Sequence, residues 1–163
     1  MKIGIIVHSY TGNTLLVAQK LMDTFSAEGH YVNIERVEAF NEEPSKNGNI
    51  QLIKIPEIGE YDIIIFGAPV RAFSLSPIMM EYLKQIETMQ GKKVGCFVTQ
   101  FFPFAWMGGN KAISQIKKTC ESKGAKMLSF GIVNWSNVNR SKKISHVINK
   151  LSNLNSSTNL SFK

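Results

Sequence analysis

Apolar residues recur along the chain in two patterns that alternate from one end to the other. The first pattern is a short continuous run, rich in β-branched residues, which is typical of a strand covered on both faces. Five apolar runs predict strands at residues 2–8, 31–37, 61–67, 93–99 and 126–133, of which residues 31–37 alternate more and predict an edge strand. The second pattern places apolar residues three and four positions apart, which predicts amphipathic helices. It occurs at residues 14–28, 77–86, 109–122 and 141–151.

The alternation of strands and helices predicts the fold class. Buried strands separated by helices are typical of a parallel sheet with helices on both faces, so we expect a doubly wound α/β domain. Ser76 and Pro77 favour a helix start, whereas Gly29 and Gly124 favour helix ends. Prolines and glycines interrupt residues 38–60, which predicts an irregular crossover there.

Length and composition suit one domain, which we place at residues 1–151, followed by a Ser/Asn-rich C-terminal tail at residues 152–163 that we expect to fray. The two cysteines, Cys96 and Cys120, predict buried reduced thiols rather than a disulfide scaffold or a zinc site. No segment approaches the roughly 20 apolar residues that cross a bilayer, and the first apolar run is too short for a signal peptide. These features predict a cytoplasmic protein without membrane insertion.

The net charge of +7 is divided unevenly along the chain. Residues 1–91 contain seven Lys and Arg against eleven Asp and Glu, whereas residues 92–163 contain twelve against one. Such asymmetry is typical of a surface that meets an acidic partner. We do not expect nucleic acid in that role, because the basic residues are mostly Lys and no nucleic-acid-binding motif accompanies them.

The loop after the first strand carries the candidate chemistry. Ligands of open α/β sheets bind at the carboxyl ends of the strands, and here the sequence Ser9-Tyr10-Thr11-Gly12-Asn13-Thr14 precedes a helix. Gly12 allows a close backbone approach, while free N–H groups and the helix dipole attract an anion. Because the loop has hydroxyl groups but no Lys or Arg, we expect a phosphate monoester held by neutral donors.

Other phosphate-binding loops do not match this sequence. The loop lacks the Gly-Lys-Ser/Thr ending of the Walker A motif and the Gly-x-Gly-x-x-Gly of dinucleotide-binding folds. It contains no Cys to act as the nucleophile of a phosphatase. The first and third strands end in His8 and Gly67, where a receiver domain needs acidic residues.

At this loop the sequence resembles the flavodoxin family. Flavodoxins follow an apolar strand with Ser/Thr-x-x-Gly-x-Thr and then with Ala and a Leu-like residue in the helix. The matching residues are Ser9, Gly12, Thr14, Ala18 and Leu21. The resemblance extends over about residues 1–150 and is to the short-chain type, since no long insertion interrupts the fifth strand. It implies a five-stranded parallel sheet in the order 2-1-3-4-5 and FMN as the cofactor.

The resemblance also implies two further flavin loops. The loop after the third strand contributes Ala68, Pro69, Val70, Arg71, Ala72 and Phe73, and the loop after the fourth contributes Thr99, Gln100, Phe101, Trp106, Gly108 and Gly109. With residues 9–14 these form the predicted cofactor-binding set; we predict no catalytic or metal-binding residue. Family members usually cover the flavin ring with aromatic side chains, for which the candidates are Phe73, Phe101, Phe102, Phe104 and Trp106.

Arg71 and His8 are the charged or titratable candidates beside this site. A cation near the ring favours the anionic reduced flavin, which predicts a weaker reductant than flavodoxins whose ring is surrounded by carboxylates. Alternatively, Arg71 points to solvent or pairs with a surface carboxylate. His8 is expected to be structural or to lie near the phosphate.

These features favour an FMN-binding electron-transfer protein in which the flavin supplies the chemistry and the chain holds it. The implied strand order gathers residues 92–163 into a basic flank, which predicts redox partner proteins with an acidic docking face. The alternative is an NAD(P)H-dependent FMN or quinone reductase of the same fold. A third interpretation, an interaction module that has lost the flavin, is disfavoured by the intact loop.

Overall fold

A sheet of five parallel strands forms the centre of the computed structural model, which describes residues 1–155. The elements in chain order are β1 (Lys2–Val7), α1 (Asn13–Ala27), β2 (Tyr31–Arg36), β3 (Glu38–Ala39), β4 (Leu52–Lys54), β5 (Ile63–Arg71), β6 (Ser74–Leu75), α2 (Pro77–Gln85), β7 (Lys93–Gln100), α3 (Gly109–Ser122), β8 (Lys126–Asn134), α4 (Arg140–Ser152) and a 3-10 turn (Asn153–Asn155). The five parallel strands lie in the order β2-β1-β5-β7-β8. This is the predicted order 2-1-3-4-5, and the doubly wound fold class is confirmed.

Two apolar layers, one on each face of the sheet, explain the continuous apolar runs. Along β1, Ile3, Ile5 and Val7 pack under α1 and α4, whereas Ile6 belongs to the layer under α2 and α3. Neighbouring positions of one strand are therefore both buried, as expected for a parallel sheet covered on both faces. The predicted apolar faces of the last two helices are confirmed. These are Ala112, Ile113, Ile116 and Cys120 in α3, and Ile144, Val147, Ile148 and Leu151 in α4.

The predicted helix boundaries also have their expected causes. The Ser76 hydroxyl accepts a hydrogen bond from the Met79 N–H at 3.2 Å, which caps α2. Gly29 and Gly124 follow α1 and α3 with φ of +86° and +92°, a conformation that favours glycine. Both cysteines are buried and unbridged, and burial raises the pKa of the Cys120 thiol to about 12.

Two segments differ from their sequence-based interpretation. The loop expected after the third strand begins later, because β5 continues to Arg71 and pairs with β6 through a tight hairpin. The crossover expected to be irregular contains a short antiparallel pair, β3 with β4. The β5–β6 turn, Ala72-Phe73, lacks the Asn-Gly or Asp-Gly signal of a hairpin, whereas the longer segment between β3 and β4 contains Asn47-Gly48.

The chain continues to pack on the domain beyond residue 151, the predicted domain end. Helix α4 includes Ser152, and Leu154 in the 3-10 turn is 4% exposed within the core under α1 and α4. The remainder of the predicted tail, residues 156–163, lies outside the described residues. Over residues 1–155, no helix combines the length and apolar character needed to span a membrane.

Candidate functional site

A cleft of about 360 Å³ opens where β1, β5 and β7 end. This edge of an open α/β sheet is where ligands bind, and the volume falls within the roughly 300–1,000 Å³ of small-molecule sites. The cleft is lined by Tyr10, Thr11, Asn13, Pro69, Val70, Arg71, Ala72, Thr99, Gln100, Phe101 and Trp135. All three predicted loops therefore meet at one place.

The loop between β1 and α1 presents a row of backbone donors to this cleft. Gly12, with φ of +92°, precedes α1, and a Cβ placed on it would meet no atom within 4 Å. Among residues 1–155, none accepts a hydrogen bond from the backbone N–H groups of residues 10–14. Unpaired N–H groups at a helix start attract anions. The neutral donor set therefore fits a phosphate monoester.

Ser9 holds this loop in shape rather than facing the cleft. Its side chain is buried, and its hydroxyl oxygen accepts a hydrogen bond from the Leu15 N–H at 3.3 Å. Its carbonyl oxygen accepts a bond from the Arg36 guanidinium, also at 3.3 Å. These two contacts fix the first residue of the loop against α1 and β2.

A pair of buried hydroxyl groups joins the first loop to the third. Thr14 and Thr99 are 1% and 3% exposed, and their Oγ1 atoms lie 2.9 Å apart. Thr14 starts α1 and Thr99 is near the end of β7, so this hydrogen bond ties the two sides of the cleft together. A buried hydrogen bond of this kind resists separation of the two elements, because an unpaired buried hydroxyl costs free energy.

The hairpin between β5 and β6 is an unusual turn. Ala72 and Phe73 have φ of +48° and +59°, although neither residue type favours the left-handed region. The Gln115 side chain in α3 supports this turn by accepting hydrogen bonds from the Leu75 N–H and the Ser74 hydroxyl, both at 2.9 Å. Backbone strain of this kind persists only where the surrounding structure enforces it, and it clusters at ligand sites.

The aromatic side chains of the second and third loops stack on one another. Phe73 and Phe102 are nearly parallel, with ring centroids 5.7 Å apart, and Phe101 meets Phe102 edge to face at 5.8 Å. Phe104 and Trp106 form a second parallel pair at 5.9 Å. Of these candidates for covering the flavin ring, only Phe101 lines the cleft in the described part of the chain.

Two amides hold the third loop in place. The Gln100 Nε2 atom donates to the carbonyl oxygens of Phe102 and Phe104, at 2.8 Å and 2.6 Å. The Asn134 Nδ2 atom donates to the same Phe102 oxygen at 3.0 Å. The Gln100 Oε1 atom is buried without a hydrogen-bond partner among residues 1–155. This oxygen faces Gly109, where a Cβ would lie 2.4 Å from it.

Arg71 is paired with carboxylates. Its guanidinium forms an ion pair with Glu43, lies 3.9 Å from a Glu42 oxygen and stacks 4.5 Å from the centre of the Tyr10 ring. Arg71 therefore pairs with surface carboxylates, and it also lines the cleft. A cation balanced by two carboxylates adds less positive potential to the cleft than an unpaired one.

His8 is a buried structural link. It is 1% exposed; its Nδ1 lies 2.9 Å from the Ser76 hydroxyl and its Nε2 lies 2.8 Å from a Glu42 oxygen. Because the Glu42 carboxylate only accepts hydrogen bonds, the proton of the neutral ring is on Nε2, and Nδ1 accepts from the Ser76 hydroxyl. Burial lowers the pKa of His8 below 6.5, although Glu42 acts in the opposite direction.

Not every predicted site residue faces the cleft. Ala68, Gly108 and Gly109 are buried, and Cβ atoms on these glycines would come within 2.6 Å of Val70 and 2.4 Å of Gln100. These glycines thus allow close packing of α3 against the second loop and β7. The lining residues do not include Ser9, Gly12, Thr14, Ala68, Phe73, Trp106, Gly108 or Gly109.

Sequence reasoning missed Trp135. Trp135 directly follows β8. Its backbone N–H donates to the Gln100 carbonyl oxygen at 2.7 Å, and the Arg140 guanidinium lies 4.8 Å from the centre of its ring. The signal that points to it is its position directly after the fifth strand, at the same edge of the sheet as the other loops.

Comparison with known proteins supports the same conclusion as the geometry. Residues 4–144 match the family model described as a flavodoxin domain. The chain belongs to the flavodoxin family. The match covers most of the domain and confirms the resemblance to the family. Flavodoxins hold FMN, and membership therefore also confirms the predicted cofactor.

Solved structures show the same fold at low sequence identity. A Streptococcus pneumoniae TIGR4 flavodoxin is 15% identical, with a TM-score of 0.65 over 93% of this chain and 98% of that one. A Lactobacillus acidophilus NCFM flavoprotein, determined in complex with FMN, is 16% identical with a TM-score of 0.61, over 87% and 97%. The Trp repressor binding protein of Bacillus subtilis is 13% identical with a TM-score of 0.66, over 92% and 99%. Curated protein sequences provide no match.

Proposed function

We propose that this flavodoxin-family chain is an electron-transfer protein that carries electrons between redox partners on bound FMN. The observation that supports the proposal is the row of unpaired N–H groups at residues 10–14, which opens on the cleft at the start of α1. Bound FMN supplies one-electron and two-electron chemistry. The contribution of the chain is then to hold the cofactor, orient it and set its surroundings.

The loops divide the binding of FMN between them. The N–H groups of residues 10–14, with the hydroxyl group of Thr11, would hold the phosphate. The ring would occupy the cleft between the backbone at residues 69–72 and the side chains of Gln100 and Phe101. Trp135 adds a second aromatic side chain at that wall, and aromatic contacts of this kind contribute about 0.5–1.5 kcal/mol each.

The side chains at the cleft favour the role of a carrier. Arg71 and Tyr10 are its titratable lining residues in the described chain, and they contact each other. His8, the nearest histidine to the first loop, is buried and bonded through both ring nitrogens. Among residues 1–155, no histidine, cysteine or carboxylate lines the cleft, and Tyr10 is stacked on Arg71, so the lining suits the holding of a cofactor better than general acid or base catalysis.

The distribution of charge supports a partner with an acidic docking face. The strand order gathers residues 92–155, with eleven basic residues and one acidic, on the β7–β8 side of the sheet. Complementary charge raises the rate of association and selects the orientation of docking. Electron transfer to such a partner should slow as salt is added. The cytoplasmic location stays a prediction from the sequence.

One experiment distinguishes an electron carrier from the alternative, an NAD(P)H-dependent reductase. The holoprotein is mixed anaerobically with NADPH, and the visible absorption of the flavin is followed before and after a quinone is added. A carrier keeps its oxidised spectrum with NADPH and is reduced only when a reductase or dithionite is supplied. Rapid bleaching by NADPH alone, with recovery on quinone, would establish the reductase and overturn the carrier.

A further inference from the structure

One group of aromatic side chains is exposed but does not line the cleft. Phe104 and Trp106 are 56% and 73% exposed, stack on each other and are not among the cleft-lining residues. Phe101, which is 70% exposed, precedes them. We call Phe104 and Trp106 the aromatic tip, because Phe101 also lines the cleft. Three large apolar side chains exposed on one loop form a patch that is typical of a contact surface.

The loop that carries the aromatic tip has no charge of its own. Residues 94–110 contain no Asp, Glu, Lys or Arg. The loop is held rigidly, because Gln100 and Asn134 bind the carbonyl oxygens of Phe102 and Phe104. Its exposed rings are therefore presented in a fixed arrangement, at little further cost in conformational entropy.

Positive charge is concentrated around the aromatic tip. Lys111 is exposed in the first turn of α3, directly after the loop. Helix α4 begins with Arg140, Ser141, Lys142 and Lys143, and its first turn has no acidic residue. Lys143 reaches Asn134, the residue that holds the loop, at 3.1 Å. Basic residues at a helix start oppose the helix dipole, so their presence there needs a cause other than helix stability.

The acidic side chains near the cleft are already engaged away from this surface. Glu42 and Glu43 contact His8 and Arg71, on the side of β1 and β5. In residues 92–155, the single acidic residue is Glu121, at the far end of α3 from the aromatic tip. The surface around the tip therefore combines exposed aromatic rings with uncompensated positive charge.

We propose that the aromatic tip and its basic surroundings bind an anionic phospholipid surface, with the rings placed at the level of the headgroups. Trp is enriched at membrane–water interfaces, and each Lys or Arg near an anionic leaflet contributes to attraction. The contact is peripheral and involves no spanning segment. It does not depend on the proposed electron transfer, and it would bring the cleft end of the molecule to the lipid.

Around the aromatic tip, the type of basic residue favours a lipid surface over an acidic protein. Three of the four basic residues there are Lys, namely Lys111, Lys142 and Lys143, and the fourth is Arg140. Protein interfaces are depleted in Lys and enriched in Arg, which binds carboxylates through two parallel hydrogen bonds. Lys acts as a point charge, which suits the phosphates of a lipid surface.

Vesicle sedimentation of the holoprotein tests the proposal. Vesicles of phosphatidylcholine alone are compared with vesicles containing about one quarter phosphatidylglycerol, at low and high salt. We expect binding to the anionic vesicles only. The double variant K111Q/K142Q should weaken it by about fivefold for each lysine. The control K117Q/K118Q, which removes the same charge farther along α3, should weaken it less.

The aromatic tip is tested with F104S/W106S, which should weaken binding to the anionic vesicles at least tenfold. The control is F40S, because Phe40 is 71% exposed on the other half of the chain. A second measurement avoids these polar substitutions. Vesicles that contain brominated lipid should quench the tryptophan fluorescence of the wild-type protein. The quenching should be lost in W106F, while Trp135 remains as the second tryptophan.

Several results would overturn the proposal. One is no binding of the wild type to anionic vesicles; another is binding that F104S/W106S leaves unchanged, which would show adsorption by net charge alone. A wild-type dimer that F104S/W106S converts to a monomer would make the tip a contact between two copies. Binding to polyglutamate that needs Phe104 and Trp106, with none to vesicles, would identify an acidic protein as the occupant.

Discussion

The hydroxyl groups of Thr14 and Thr99 lie 2.9 Å apart in the interior and join the start of α1 to the end of β7. The two residues are 85 positions apart in the chain. Their contact fixes the distance between the loop proposed to hold the phosphate and the loop that forms one wall of the cleft. Removing one hydroxyl should therefore affect both stability and cofactor affinity.

We expect Thr99→Val to lower the free energy of unfolding of the apoprotein by about 1–2 kcal/mol, because it leaves the buried Thr14 hydroxyl without its partner. The double variant T14V/T99V should cost less than the sum of the two single variants. Urea unfolding measures these values. Thr24→Val serves as the control, because the Thr24 hydroxyl bonds only within its own helix. Strict additivity of the two substitutions would show that the hydroxyls do not stabilise each other.

Gly12→Ala should weaken the binding of FMN through the backbone alone. The position has φ of +92° and open space at the Cβ, so we expect strain of about 1–2 kcal/mol without a clash. Gly48→Ala is the matched control, with φ of +74° and equally open space in a remote segment. Fluorescence titration with FMN should show weaker binding for the first variant only. Equal affinity of the two variants would contradict the assignment of the phosphate loop.

Arg71 and Glu43 should shift the reduction potential of the bound flavin in opposite directions. Arg71→Gln leaves Glu42 and Glu43 without their cation, which disfavours the anionic reduced flavin and makes the potential more negative. Glu43→Gln removes one carboxylate from the Arg71 cation, which makes the reduction potential less negative. We expect shifts on the order of tens of millivolts. Redox titration measures both, with Lys54→Gln as a remote control; shifts of equal sign would contradict the ion-pair account.

His8 should make the protein less stable in mild acid. Its pKa is lowered on folding, so the folded state favours the neutral ring. The resulting stabilisation is fully present above pH 6.5, the unfolded pKa, and is lost as the pH falls through the lower folded pKa. Urea unfolding between neutral pH and pH 5 should show a smaller pH dependence for His8→Gln than for the wild type. His146→Gln, at an exposed position of α4, should retain the wild-type dependence.

Much of this fold follows from hydrophobic spacing, because each parallel strand is covered on both faces and each helix on one. The spacing predicted the four helices to within one or two residues of their observed ends. The hairpin at Ala72 and Phe73 was not predictable in this way. Its positive φ values are imposed by tertiary contacts from Gln115 and Gly108, since the residue types themselves disfavour them.

The part of the candidate site that is formed by the backbone was predictable from the sequence. The contacts made by side chains were less predictable. The loop at residues 9–14 needs a glycine and a helix start, which the sequence displays directly. The pairing of Arg71 with Glu43 and of His8 with Glu42 depends on the segment after β3, whose path the sequence did not indicate. Trp135 reaches the cleft only through the position of β8 in the sheet.

The central claim is that the loop at residues 9–14 recognises the phosphate of FMN, and its most direct test compares FMN with riboflavin. The apoprotein is titrated with each flavin by fluorescence and isothermal calorimetry, under identical conditions. FMN should bind in a one-to-one complex at least a hundredfold more tightly than riboflavin, because only FMN engages the helix start and its N–H groups. Equal affinity for the two flavins, or no binding of FMN, would contradict the claim.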